Sequence, residues 1–236
     1  MPAMFPAVLD WSMAAAGAAA VLAGLPRSPA SHPDSGRRAR AGAAGERRVA
    51  RTLDAMRMAH VDNVTFECRG RTVQVDHVVD LGDRLLAIET KQMAGTIKAR
   101  RGRWVQCRPG QPDRRFQSPV EQNAWHCRAV SGRFGVGCDG LVVFAGSSAA
   151  FRGGAPRGVV GLEGLPAALE AARGRPRGRA AGALAAVRRV KDAPGQAALA
   201  ARHVAGMRSR HDRRGHGTVI LGIALACAGL LLAAAP

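Results

Sequence analysis

Apolar and polar residues alternate with period two along two neighbouring stretches of the chain. Thr72-Val73-Gln74-Val75-Asp76-His77-Val78-Val79 is followed closely by Arg84-Leu85-Leu86-Ala87-Ile88-Glu89-Thr90-Lys91. Each predicts a β-strand, and Asp80-Leu81-Gly82-Asp83 between them predicts a turn. Strand side chains alternate between faces, so Glu89 and Lys91 point the same way and His77 points away from Asp76. A four-residue loop over Leu81 to Arg84 would pair Asp80 with Leu85 and set Asp76 opposite Glu89. A two-residue loop, Leu81-Gly82, would set Asp76 opposite Ala87, still on the same face and diagonal to Glu89. Either register gathers two carboxylates and one lysine at one spot.

The same reading extends in both directions. Val49, Leu53 and Met56 recur at helical spacing, which predicts an amphipathic helix over Gly45 to Met58. A first strand is expected over Val61 to Glu67, with Arg69-Gly70-Arg71 as a turn. After the central pair, Gly102 can turn a second hairpin, Thr96 to Arg100 with Arg103 to Cys107. Residues 108–117 read as a polar loop. Ser118 suits an N-cap and Pro119 a first helical position, so a helix should run to about Gly132. Leu141-Val142-Val143-Phe144 reads as a buried strand, Gly158-Val159-Val160 as another, and Leu165 to Ala172 as a helix. This order implies an α/β fold, a mixed sheet flanked by helices on both faces.

The ends differ in character. Thr218 to Pro236 carries no charge, and its nineteen residues would span roughly 28 Å as a helix, close to a bilayer core of about 30 Å. Arg208, Arg210, Arg213 and Arg214 precede it and would hold the preceding domain on the cytoplasmic side of the cell membrane. Phe5 to Leu25 is weakly apolar and reads as a second anchor rather than a cleaved signal; Arg27, Arg37, Arg38 and Arg40 after it agree on the orientation. The chain thus divides into an N-terminal anchor (1–26), a Pro-containing linker (27–41), a folded domain (42–172), a basic Ala/Arg-rich connector (173–217) and a C-terminal transmembrane helix (218–236). Ala183 to Lys191 and Gln196 to Met207 in the connector could form short helices.

Charge follows the same division. The formal net charge is +18, yet residues 61–150 hold 13 Lys/Arg against 9 Asp/Glu, while 151–217 hold 14 against 4. The middle is a mixed-charge folded domain and the flanks are basic arms, which suit a nucleic acid or an anionic membrane surface. Arg far outnumbers Lys amid abundant Ala and Gly, a composition that base usage alone can produce. The five cysteines, Cys68, Cys107, Cys127, Cys138 and Cys227, form no C-x-x-C pair. That argues against a zinc ribbon or a disulfide framework and for free thiols in a reducing compartment.

An Asp on one strand and Glu-x-Lys on the next resemble the PD-(D/E)xK nuclease core. More narrowly, Gln74-Val75-Asp76-His77, Ile88-Glu89-Thr90-Lys91, Gly95-Thr96-Ile97 and Trp104 follow one another as in the nuclease-related domain (NERD) family. Gly45-Glu46 upstream and Ser118-Pro119-Val120-Glu121-Gln122 with His126 downstream fit as well. The resemblance covers about residues 42–172. It departs at Ser118, where the family usually has Asn before Pro, a change expected to alter how the helix begins rather than the chemistry.

The resemblance implies a restriction-endonuclease-like core and a phosphodiester hydrolase acting on nucleic acid, DNA ahead of RNA. Asp76 and Glu89 would hold Mg²⁺ or Mn²⁺, which needs few protein oxygens because it keeps its waters; the Thr90 carbonyl would be a third. Lys91 would orient or deprotonate the attacking water, or hold a phosphate oxygen. Glu46 would either reach the metal site or complement the helix dipole. Gln122 would face the site, one helical turn before His126. Trp104 could stack a base, but packing is the stronger reading. Arg100-Arg101-Gly102-Arg103 could grip phosphates or be a solvated hairpin tip. Two other functions fit the same letters: a non-catalytic, membrane-bound nucleic-acid-binding or signalling module that keeps the fold, and basic arms that bind acidic lipids.

Overall fold

The structure, a computed structural model, describes residues 33–100, 102–146, 148–174 and 180–206. The stretches read as membrane anchors, 5–25 and 218–236, lie outside these residues. Among the described residues no helix is long and apolar enough to cross a membrane.

Two compact units divide at Arg40 and Ala41. Of the first, residues 33–40 are described and are helical. The rest of the fold belongs to the second. The elements are α1 (Pro33–Ala55), β1 (His60–Cys68), β2 (Arg71–Asp80), β3 (Leu85–Lys91), β4 (Gly95–Arg100), β5 (Arg103–Arg108), β6 (Gln111–Phe116), α2 (Pro119–Phe134), β7 (Cys138–Phe144), β8 (Ala149–Phe151), β9 (Val159–Gly161), α3 (Leu165–Ala172) and α4 (Ala180–Asp192). Residues 196–206 are helical again.

The strands form two mixed sheets, not the single one expected. One runs β1-β2-β3-β7-β9, the other β6-β5-β4-β8. In the first, β1, β2 and β3 are antiparallel neighbours, while β7 lies parallel to β3 and β9 parallel to β7. β3 is buried over Leu85 to Glu89 because helices cover both faces, which is why it reads as an almost continuous apolar run. On one face Val79, Leu86 and Ile88 pack with Val49 and Leu53 of α1 and Leu165 and Leu169 of α3. On the other, Val78, Leu85 and Ala87 pack with Ala129 and Val130 of α2 and Leu184 and Val187 of α4. The folded core therefore takes in part of the stretch read as a connector.

The second sheet packs Ile97 and Trp104 against Val142, Phe144 and Val159. Trp104 is 5% exposed and lies parallel to Phe144 with ring centroids 6.2 Å apart. It is a packing tryptophan and has no free face for a base. Two further differences concern α1, which begins at Pro33 inside the expected linker, and β6, which occupies the expected polar loop.

Candidate functional site

The β2–β3 turn settles the register. Asp80 pairs with Leu85, Leu81 N–H donates to Arg84 O, and Gly82 N–H donates to Asp80 Oδ1 at 2.7 Å. This is the four-residue loop. The ladder runs to His77 opposite Ile88, and one residue further the same register sets Asp76 across from Glu89. Beyond that point the strands are tied by a side chain, since Thr90 N–H donates to Asp76 Oδ2 at 2.8 Å.

Glu89 is 3% exposed, and a carboxylate so buried must be paired. Lys91 Nζ donates to Glu89 Oε1 at 2.5 Å and to Gln122 Oε1 at 3.0 Å. His126 Nδ1 lies 3.3 Å from Glu89 Oε2 but is not aligned to hydrogen-bond it, and both atoms are buried without a hydrogen-bond partner. Burial pushes the Glu89 carboxyl up, but the His126 ring and the Lys91 ammonium outweigh it and hold the group below the usual range. Asp76 goes the other way. Burial and the Glu89 charge raise it to about 8, against the pull of the Thr90 amide, and the Glu46 charge adds to the rise.

Two helices bring the remaining groups. α1 comes close because residue 45 is glycine: a Cβ there would sit 2.8 Å from Gln92 Oε1 and 3.4 Å from Thr90 Cγ2. That close approach at the end of β3 puts Glu46 within electrostatic reach of Asp76. α2 starts where expected, with Pro119 in its first turn and Ser118 Oγ accepting from Glu121 N–H at 3.2 Å. Asn123 fixes it to the sheet, its amide donating to Ala87 O and Leu141 O at 3.0 Å each. Gln122 and His126 then share one face and both reach the β3 charges.

Asp76, Glu89, Lys91 and Gln122 are thus brought together, with Glu46 at the margin. His77 is on the opposite face, fully buried, with Nδ1 2.7 Å from Asp62 Oδ1. Two positions went unread in the sequence, while His126 was read there only as sharing a helix face with Gln122. Asn123 carries no signal, because its partners are carbonyls of strands remote in the chain. Asp62 carries none either, because its partner His77 comes from the next strand.

A divalent cation is a fit for this locale on three counts. Burial, with the Glu89 charge beside it, raises Asp76, a conflict that a cation would relieve. Glu89 Oε2 is a buried carboxylate oxygen with no hydrogen-bond partner. The donors are oxygen, as a hard cation prefers. Among the described residues no three His, Cys, Asp or Glu side chains form a complete ligand set, so Asp76 and Glu89 would share the ion with water. Lys91 would have to release Glu89 Oε1 for that carboxylate to bind through both oxygens.

Fold and site together define a class, a mixed α/β domain with two acids and a lysine gathered where the ladder of its central strands ends. The family model described as nuclease-related domain, NERD, matches residues 41–145. Over that stretch the chain is similar to the nuclease-related domain family. The match ends at Ala145, short of the limit near 172 read from the motifs. No curated protein and no solved structure matches the chain.

Proposed function

We propose that this chain is a divalent-cation-dependent nuclease that hydrolyses phosphodiester bonds in nucleic acid, with DNA ahead of RNA. We place it at the cell membrane through its terminal apolar segments, with the nuclease-related domain on the cytoplasmic side. One observation carries the catalytic reading: Asp76, Glu89 and Lys91 meet where the β2–β3 ladder ends, in a stretch that matches a nuclease-related family. The DNA preference rests on the family resemblance, and the membrane placement on the sequence of the ends.

Asp76 and Glu89 are the groups that would hold Mg²⁺ or Mn²⁺. When bound, such an ion lowers the pKa of a water and offsets charge on the scissile phosphate. The chain's own residues do the rest. Lys91, tied to Glu89 and Gln122, places its ammonium where a phosphate oxygen or the attacking water would lie. The Gln122 amide holds Lys91 and presents a hydrogen-bonding edge to the same space. His126 lies against Glu89 Oε2 and stays beside that carboxylate when Lys91 turns toward substrate.

The test uses the full chain and a fragment of residues 33–206, which keeps α4 on the core. Each is incubated with plasmid, linear duplex and single-stranded DNA and with RNA, with Mg²⁺, Mn²⁺ or EDTA. Cleavage is expected with the metals and not with EDTA. Glu89→Ala and Lys91→Ala are expected to lose about 10²–10⁴-fold in rate. No cleavage by wild type, or undiminished cleavage by both variants, removes the enzymatic reading.

A further inference from the structure

Away from the Asp76–Glu89 centre, two cysteines from different elements meet. Cys127 lies on α2 and Cys138 opens β7. Cys127 Sγ donates to Asp139 O at 3.2 Å, and Cys138 Sγ reaches the same oxygen at 3.5 Å. The separation of the two sulfurs is bounded by the sum of those distances. The approach depends on residue 140 being glycine, because a Cβ there would lie 2.9 Å from Cys127 Sγ. Both cysteines are free and half-buried.

They also share a cavity of about 320 Å³, bordered by Asn123, Asp139, Gly140 and Arg157. It is large beside the ~30 Å³ share of a water molecule, so a small oxidant can enter. The two thiols differ in kind. The neighbouring Cys138 thiol lowers the pKa of Cys127 against the effect of burial, and the Arg128 charge helps; the Cys127 thiol and burial push Cys138 up. A more acidic, reachable thiol beside a less acidic one is the pairing of an attacking and a resolving cysteine.

We propose that Cys127 and Cys138 are a peroxide-reactive thiol pair that closes to a disulfide between α2 and β7. The Cys127 thiolate attacks one peroxide oxygen, the O–O bond breaks, and a Cys127 sulfenic acid forms as the other oxygen leaves and takes a proton to become water. Cys138 sulfur then attacks the sulfenic sulfur. The S–S bond forms, the hydroxyl leaves, and it takes the Cys138 proton as a second water. Two thiols are oxidised by two electrons and one hydrogen peroxide is reduced. A pair used this way is free in a reducing compartment and is reversed by thiol exchange. The pair does not depend on the nuclease reading and stands or falls separately.

The test treats the full chain with hydrogen peroxide and follows free thiols, intact mass and tryptic peptides. The expected result is loss of both thiols together, a peptide linking Cys127 to Cys138, and restoration by dithiothreitol. In Cys138→Ser, peroxide with dimedone is expected to tag Cys127. Linkage of any other cysteines overturns the proposal. So does loss of thiols with Cys127 and Cys138 unlinked, or thiols that survive peroxide at levels that oxidise free glutathione. The wild-type peptide map decides the matter even if the variant fails to fold.

Discussion

Asp76 is held in a conflict that makes its protonation part of the fold's stability. Burial and the Glu89 charge keep its pKa near 8, while an unfolded aspartate titrates near 4. The folded protein therefore keeps a proton that the unfolded chain gives up. This group's contribution to stability is whole below about pH 4 and is lost as pH rises toward 8. Asp76→Asn keeps an acceptor for the Thr90 amide and removes the titration. Without added cation, the variant is expected to be more stable than wild type at pH 8 by about 1–2 kcal/mol. The difference should shrink toward pH 4, and cleavage should fall to background. Urea denaturation in EDTA at both pH values checks this, and a variant less stable than wild type at pH 8 contradicts it. A site that gains stability when an acid is removed has been arranged for a positive guest rather than for the empty fold.

At the scale of elements, the weight of the fold falls on parts with little sequence signal. α4 buries Ala180, Ala183, Leu184 and Val187 against the first sheet, and Arg188 and Lys191 donate to His60 O and Asp62 O at its edge. Leu184→Ala is expected to cost about 2–4 kcal/mol, read as a lower urea midpoint; a loss under about 0.5 kcal/mol would mean the helix does not seal this face. In the sequence α4 is short, Ala-rich and flanked by Gly and Pro, so its apolar stripe shows only once a sheet face lies beneath it. β6 hid for the opposite reason. Gln111 to Arg115 are exposed, so no alternation marks the strand, and ladder bonds to β5 hold it. β3 was legible because both its faces are buried, and α2 because Ser118 and Pro119 announce its start. The central trio was legible for a related reason: strand parity and one short turn fix where its members go. Gln122 and His126 followed from helical spacing. Asn123 did not, because the carbonyls it binds belong to strands that only the tertiary fold brings under α2.

For the whole molecule, the question is where the positive charge sits relative to the site. The ladders place Lys98, Arg100, Arg103 and Arg115 on one face of the second sheet, with Asp113 near Lys98 at 3.7 Å. Exposed Arg152 follows β8 beside them. The hairpin joining β4 to β5 ends at the first turn of α2, where a Cβ on Gly102 would lie 3.9 Å from Glu121 Oε1. Gln122 is the next residue along that helix. A polyanion lying on this face would therefore lead toward the Lys91–Gln122 pair. A solvated basic face with no such role would bind nucleic acid no better than the rest of the surface. If it is a track for phosphates, binding measured with EDTA present should weaken steeply with salt. Arg103→Glu with Arg115→Glu should then lower affinity several-fold and make the slope of log K against log salt shallower by roughly 0.9 for each phosphate the face no longer neutralises. Fluorescence anisotropy on a labelled duplex gives both numbers. An unchanged slope would shift the binding role to the basic arms, and the sheet face would be only a soluble edge beside the carboxylates.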